Sequence, residues 1–255
     1  MVLASFLVVL SFGQGLVILT GGLDLSLPAL ITLGGVLAAS FTAPGGVDGW
    51  AILPVVICLC AAIGFLTALG VVWLKVPPFI MTMATSIIIA SAALGMTKGT
   101  PRGTSPDALL WLMKSHVFGV PLPVIFLLFF VGAGWLIQSR STLGRYLHAV
   151  GTNAEAARIA GLPVFPALVA PYVISAACAG FVGMMLVGYS NGATLRMGDS
   201  YMLPSIAAVV IGGSSILGGS GSFLGTVGGA ILLTTLGTII SAIGMQIGVR
   251  TIIEG

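Results

Sequence analysis

Apolar residues gather into eight runs, near 2–19, 28–43, 51–74, 79–96, 121–138, 167–189, 203–218 and 222–246. A helix needs about 20 residues to cross about 30 Å of hydrocarbon, so the pattern predicts up to eight membrane passages. The run interiors are nearly free of charge and lack the apolar/polar alternation of barrel strands, which favours helices over a β-barrel. The expected fold class is all-α: a polytopic transmembrane helical bundle of about eight segments, forming one domain over 1–255.

Two of the runs are interrupted. In 21–39, Asp24 and Pro28 precede a short apolar stretch holding Gly34 and Gly35; in 198–219, Asp199 and Pro204 precede another, holding Gly212 and Gly213. Paired, Gly/Pro-broken short segments in the two halves of a chain point to a transporter's midplane site and to an internal repeat. Proline at helix starts and glycine at packed helix faces would give the same look to two unrelated helices. Both readings are open at this stage.

Composition agrees with the pattern. Hydrophobic residues are 58% of the chain and charged residues 6%, against about 45–50% and 25% in soluble domains. A formal charge of +3 would suggest nucleic acid in a soluble protein; here the basic residues belong mostly to loops between membrane segments, and no nucleic-acid function is read. Cys58 and Cys60 point to different faces of a helix, and Cys178 lies in another apolar run, so all three read as small buried hydrophobes with no metal or disulfide role. No basic residue precedes the first run, which leads into a second apolar segment instead of a cleavage site, so it reads as a membrane helix and not a signal peptide. Hydrophobic segments so close to both ends, with no basic flank at either, raise the expectation of a fragment.

Segment 139–163 carries Arg140, Arg145 and Arg158 against Glu155, the basic bias of a cytoplasmic loop. Counting from it puts the Lys75 turn inside and 97–120 outside, although that outer segment holds Lys98, Arg102 and Lys114. Residue 1 then starts outside. Within the loop, Asn153 is a good N-cap, Glu155 suits the positive first turn, Arg158 the negative last turn, and Gly161 a left-handed C-cap before Pro163. The result is a two-turn helix with Ala154, Ala157 and Gly161 on a nearly bare face. Such a helix suits docking into a groove of another protein; on spacing alone, a tidy connector fits equally well.

Polar residues at membrane depth are few. Thr82, Thr85 and Ser86 share one face of the 79–96 helix, where they offer weak hydrogen bonds to a passing solute, or else pack and bond back to their own helix. Asp24 is costly at membrane depth and so a pathway candidate, with a helix cap as the alternative.

GRYLHAVGTNAEAARIAGLPV (144–164) and IAAVVIGGSSILGGSGSFLGTVGGAIL (206–232), with GLDLSLPALITLGG (22–35) and VPPFIMTMATSIIIASAALGMTKG (76–99) upstream, resemble the permease subunit of bacterial ABC importers of the ribose, xylose and arabinose type. The resemblance implies a multi-pass protein of the bacterial cell (inner) membrane. It implies three partners: an extracytoplasmic solute-binding protein, a second permease subunit in a homo- or heterodimer, and an ABC ATPase subunit that uses the ATP. Family members run about one helix longer at each end, which would bring ten spans and both termini inside. Their coupling motif matches Glu155, Ala156, Ala157 and Gly161, and the surrounding Arg145, Gly151, Asn153 and Arg158 join them as ATPase-coupling candidates. Members often carry an arginine where Ala90 stands, so their pathway residues do not transfer directly.

The chain itself is expected to hold no cofactor and to catalyse nothing. It has no G-x-x-x-x-G-K-[ST] phosphate loop, and the glycines of 212–225 lack both the lysine and a strand-to-helix setting. His116 and His148 lie in loops on opposite sides, so no Ser/His/Asp set is assignable. Two rivals remain: an ABC permease for branched-chain amino acids or nucleosides, and an ion-coupled secondary transporter. The second would want more intramembrane charge than Asp24.

Overall fold

A computed structural model describes residues 1–40, 49–101 and 103–243. Among the described residues, six helices are long and apolar enough to span a membrane. They are α1 (Val2–Leu19), α3 (Gly49–Val72), α4 (Pro78–Thr97), α6 (Leu122–Ser139), α9 (Val164–Ser190) and α11 (Phe223–Ala242). Two shorter apolar helices, α2 (Leu27–Ser40) and α10 (Met202–Ile211), take up the two interrupted runs. The expected count of eight therefore overshoots slightly, because 14 and 10 residues rise only about 21 and 15 Å, short of the hydrocarbon thickness. Residues 41–43 and 244–246 of the runs, and Arg102, lie outside the described residues.

Helix α9 is the central post. It packs on α1, α2 and α3, and close approach is made possible by glycine: a Cβ on Gly183 would stand 2.0 Å from the Ile31 carbonyl oxygen, and one on Gly64 2.5 Å from the Tyr172 carbonyl oxygen. Small residues let membrane helices approach this way in the absence of a water-driven hydrophobic effect. Phe12, Phe130 and Phe223 join α1, α6 and α11 edge to face, with centroids at 5.4 and 4.7 Å from Phe12. By contrast α4 and α6 leave most of their apolar surface outside the chain, as expected of helices that meet lipid or another subunit.

Two ends are distinguishable. At the first, Gly219 donates its N–H to the Leu19 carbonyl at the end of α1 (2.9 Å), and a further helix, α7 (Thr142–Thr152), ends against both. This end carries Arg140, Arg145, Arg158 and the Lys75 turn. At the opposite end, Trp50 meets Trp111 of a short helix α5 (Asp107–Lys114) at 5.8 Å, and Phe6 meets Tyr189 at 5.8 Å. A two-stranded hairpin, β1 (His116–Val117) and β2 (Val120–Pro121), turns there through Phe118 and Gly119, both at positive φ.

The interrupted segments start side by side and run apart. Gly198, just before a 3-10 turn (Asp199–Tyr201), lies so near Pro28 that a Cβ on it would stand 2.2 Å from the Pro28 carbonyl oxygen. From this meeting point α2 runs to the hairpin end, where Ala39 touches Gly103, and α10 runs to the Arg-rich end. As a repeat the likeness is partial: Gly34 and Gly35 sit inside α2, whereas Gly212 and Gly213 terminate α10.

Candidate functional site

At the Arg-rich end the local sequence fixes a short helix, α8 (Ala154–Ile159). The Asn153 side-chain oxygen accepts the N–H groups of Glu155 (3.0 Å) and Ala156 (2.9 Å). At the other end Gly161 adopts φ +76, donating to Arg158 (3.0 Å), while Leu162 donates to Ala157 (3.0 Å), closing the left-handed cap. Arg158 and Glu155 form an exposed ion pair, and the Glu155 hydrogen bond, then its charge, hold the guanidinium above its usual pKa. Both ends of a six-residue helix are thus satisfied, offsetting the poor stability of so short a helix in water.

The bare face divides. Ala157 is 5% exposed and packs into the chain's own core, so it anchors α8 and is not offered to a partner. Outward point Glu155, Ala156, Arg158 and Ile159, the last 81% exposed. Ahead of α8, the 139–163 loop contains α7, which the sequence reading missed although Leu143, Tyr146, Leu147 and Val150 follow helical spacing and Ser141 caps it by accepting from Gly144 N–H (3.1 Å). Arg145 lies on its exposed side and donates to the Arg140 carbonyl (3.3 Å). Gly151 ends α7 against backbone: a Cβ there would meet the Leu19 oxygen at 1.9 Å. His148 joins α7 to the 212–222 loop, its Nε2 3.3 Å from the Gly221 carbonyl oxygen.

The four intramembrane candidates separate. Asp24 is buried: Oδ1 accepts the Ser26 N–H (3.0 Å) and hydroxyl (2.6 Å), and Oδ2 accepts the Ser175 hydroxyl of α9 (2.7 Å). It ties the start of α2 to the central post. Thr82 bonds back to the Pro78 carbonyl (2.8 Å) and reaches the Leu23 carbonyl (3.3 Å). Thr85 bonds back to Met81 (3.0 Å) and receives the Thr67 hydroxyl (3.2 Å), joining α3 to α4. Ser86 does neither, and lines a cavity of about 400 Å³.

That cavity lies between the start of α2, the outer half of α4 and the 195–199 turn. Thr32, Ser86, Ala90, Ser91, Arg196 and Asp199 supply its lining. Arg196 Nε and Asp199 Oδ2 pair at 2.6 Å with side chains 85% and 47% exposed. Sequence reasoning missed Ser91, Arg196 and Asp199 as a group, because only the fold brings the turn beside α4; the Arg-x-x-Asp spacing was the one local signal.

Residues 1–254 match the protein family described as the branched-chain amino acid transport system / permease component. The ribose import permease protein of Escherichia coli K12 is 33% identical over 244 residues, covering 93% of this chain and 75% of the relative. A probable ABC transporter permease protein of Sinorhizobium fredii is 34% identical over 244 residues (94% and 72%), and an autoinducer 2 import system permease protein of Yersinia pseudotuberculosis 29% over 247 (94% and 74%). No solved structure matches.

Proposed function

The chain belongs to the branched-chain amino acid transport system / permease component family, and from that premise we propose how it works. It is a multi-pass membrane permease subunit of an ATP-driven importer for a monosaccharide or similar small polar solute. The ribose and autoinducer 2 import permeases among its relatives support that solute class over a branched-chain amino acid. It acts in the bacterial inner membrane with an ABC ATPase, a second permease subunit and an extracytoplasmic solute-binding protein. ATP is bound and hydrolysed by the ATPase, and this subunit holds no nucleotide site of its own.

Loop 139–163 is the coupling element on the cytoplasmic side. The observation that carries this reading is α8: an exposed helix capped at both ends, anchored by Ala157, and joined through α7 to the membrane core. ATPase closure acts by gripping α8 more tightly in one membrane state than in the other, which is the only way a partner shifts such an equilibrium. Replacing Glu155, Arg158 and Gly161 together by alanine is expected to abolish ATPase co-purification and ATP-driven uptake while the permease stays in the membrane. Retention of both complex and uptake would overturn the coupling role.

A further inference from the structure

We infer that the cavity between α2, α4 and the 195–199 turn is a solute-binding subsite for a neutral polyhydroxylated molecule, with Ser86 and Ser91 as its contact hydroxyls and the Arg196–Asp199 pair as its polar wall. The inference rests on the permease reading above and deepens it.

Three observations carry it. First, the hydroxyls of α4 differ in use: Thr82, Thr85 and Thr97 donate to carbonyls four residues back, whereas Ser86 and Ser91 make no hydrogen bond among the described residues. A hydroxyl left unpaired against hydrocarbon is costly, so this wall faces water or a polar ligand. Secondly, the Arg196–Asp199 pair stands where Gly198 meets Pro28, twelve residues and so about 18 Å along α2 from its outer end at Ser40. An exposed guanidinium and carboxylate at that depth cannot face lipid tails, which makes the cavity part of an aqueous path. Thirdly, about 400 Å³ falls within the size range of small-molecule sites.

The chemistry selects the ligand class. The two charges satisfy one another, leaving no net charge for an ion to match. What remains is a row of groups that donate and accept together: two serine hydroxyls, the spare guanidinium N–H groups and the second carboxylate oxygen. Adjacent hydroxyls of a sugar fit that set, one accepting from Arg196 and the next donating to Asp199. A zwitterionic amino acid would have to split the pair. Ala90 between the serines leaves the wall low, so the cavity has room for a ring.

The test is cysteine protection in the complete importer, reconstituted with its ATPase and binding protein. Cys58, expected to be buried, is exposed, whereas Cys60 and Cys178 are buried, so in a Cys58→Ala background Ser91→Cys is labelled from the outer side with a membrane-impermeant methanethiosulfonate. D-ribose and D-xylose are expected to slow labelling at least 3-fold, and leucine to leave it unchanged. Adding Ser86→Ala should raise the sugar concentration for half-protection about 5-fold, the loss of one hydrogen bond. Protection by neither sugar, protection by leucine, or insensitivity to Ser86→Ala would each overturn the subsite. Failure of the permease reading would look different: sugar still protects the Ser91→Cys variant, but no ATPase co-purifies and uptake ignores ATP.

Discussion

Replacing Gly151 by alanine tests how α7 is fixed to the membrane core. The added Cβ would stand 1.9 Å from the Leu19 oxygen and 2.8 Å from the Gly219 nitrogen, both backbone atoms that also bond to each other at 2.9 Å. A carbon–oxygen contact settles near about 3.3 Å, so about 1.4 Å must open between α7 and the end of α1. No side chain can swing aside to absorb it. Overpacking costs about 1–3 kcal/mol, and the Gly219–Leu19 hydrogen bond, if broken, about 1 more, giving about 3 kcal/mol in all. Unfolding of the purified protein in mild detergent, by heat or by titration with a harsh detergent, reads this directly. Gly132 on α6 is the control, since nothing lies within 4 Å of a Cβ there and alanine should cost nothing. Gly161 separates conformation from space: its Cβ also meets nothing, but φ is +76, so Gly161→Ala should cost about 1 kcal/mol and Gly161→Asn less. If Gly151→Ala proves as stable as Gly132→Ala, α7 is not clamped as described.

Asn153→Ala removes an oxygen that serves two N–H groups, which should weaken ATPase binding about 5-fold through loss of about 1 kcal/mol of α8 stability; Asn153→Asp should hold within 2-fold, and equal affinities for all three in a solution binding assay would dismiss the cap. Asp24→Leu strands the Ser26 N–H and the hydroxyls of Ser26 and Ser175 in the core, for a loss of about 3 kcal/mol, whereas Asp24→Asn can still accept from Ser26 and should lose about half as much. Detergent unfolding in which both variants match would refute the tie.

The parts legible in the sequence are those fixed by neighbours along the chain. Membrane helices announce themselves through unbroken apolar length, and α8 through a cap residue, an acid, a base and a glycine at set offsets. Helix α7 is equally local, with Leu143, Leu147 and Val150 on one face, but the arginines around it give the segment the composition of a loop. Other features depend on partners far away. Asp24 pairs with a serine 151 positions on, so no spacing rule could decide between pathway acid and structural tie. Nor could a helical wheel tell which hydroxyls of α4 turn back on their own helix. Thr82, Thr85 and Ser86 share a face, but threonine's branched Cβ restricts its hydroxyl to rotamers that reach the preceding turn, and only Ser86 is left for the cavity.

The two short helices explain why a chain so poor in charge can still line a polar path. Each helix end exposes backbone groups that a continuous membrane helix would satisfy internally. Beginning α2 and α10 beside each other at depth concentrates such ends in the middle of an otherwise apolar bundle, where Asp24 accepts the Ser26 N–H just before α2 and the Arg196–Asp199 pair stands beside the start of α10. The same arrangement links the cavity to the Arg-rich end by a short route. Helix α8 follows α7 across the extended Asn153, and Gly151, Thr152 and His148 of α7 touch Leu19, Gly219 and Gly221. The glycine loop that carries Gly219 and Gly221 is the direct continuation of α10, and α10 begins at the turn bearing Asp199. The contacts that lead from α8 to the cavity wall therefore run through α7, the glycine loop and the ten-residue α10.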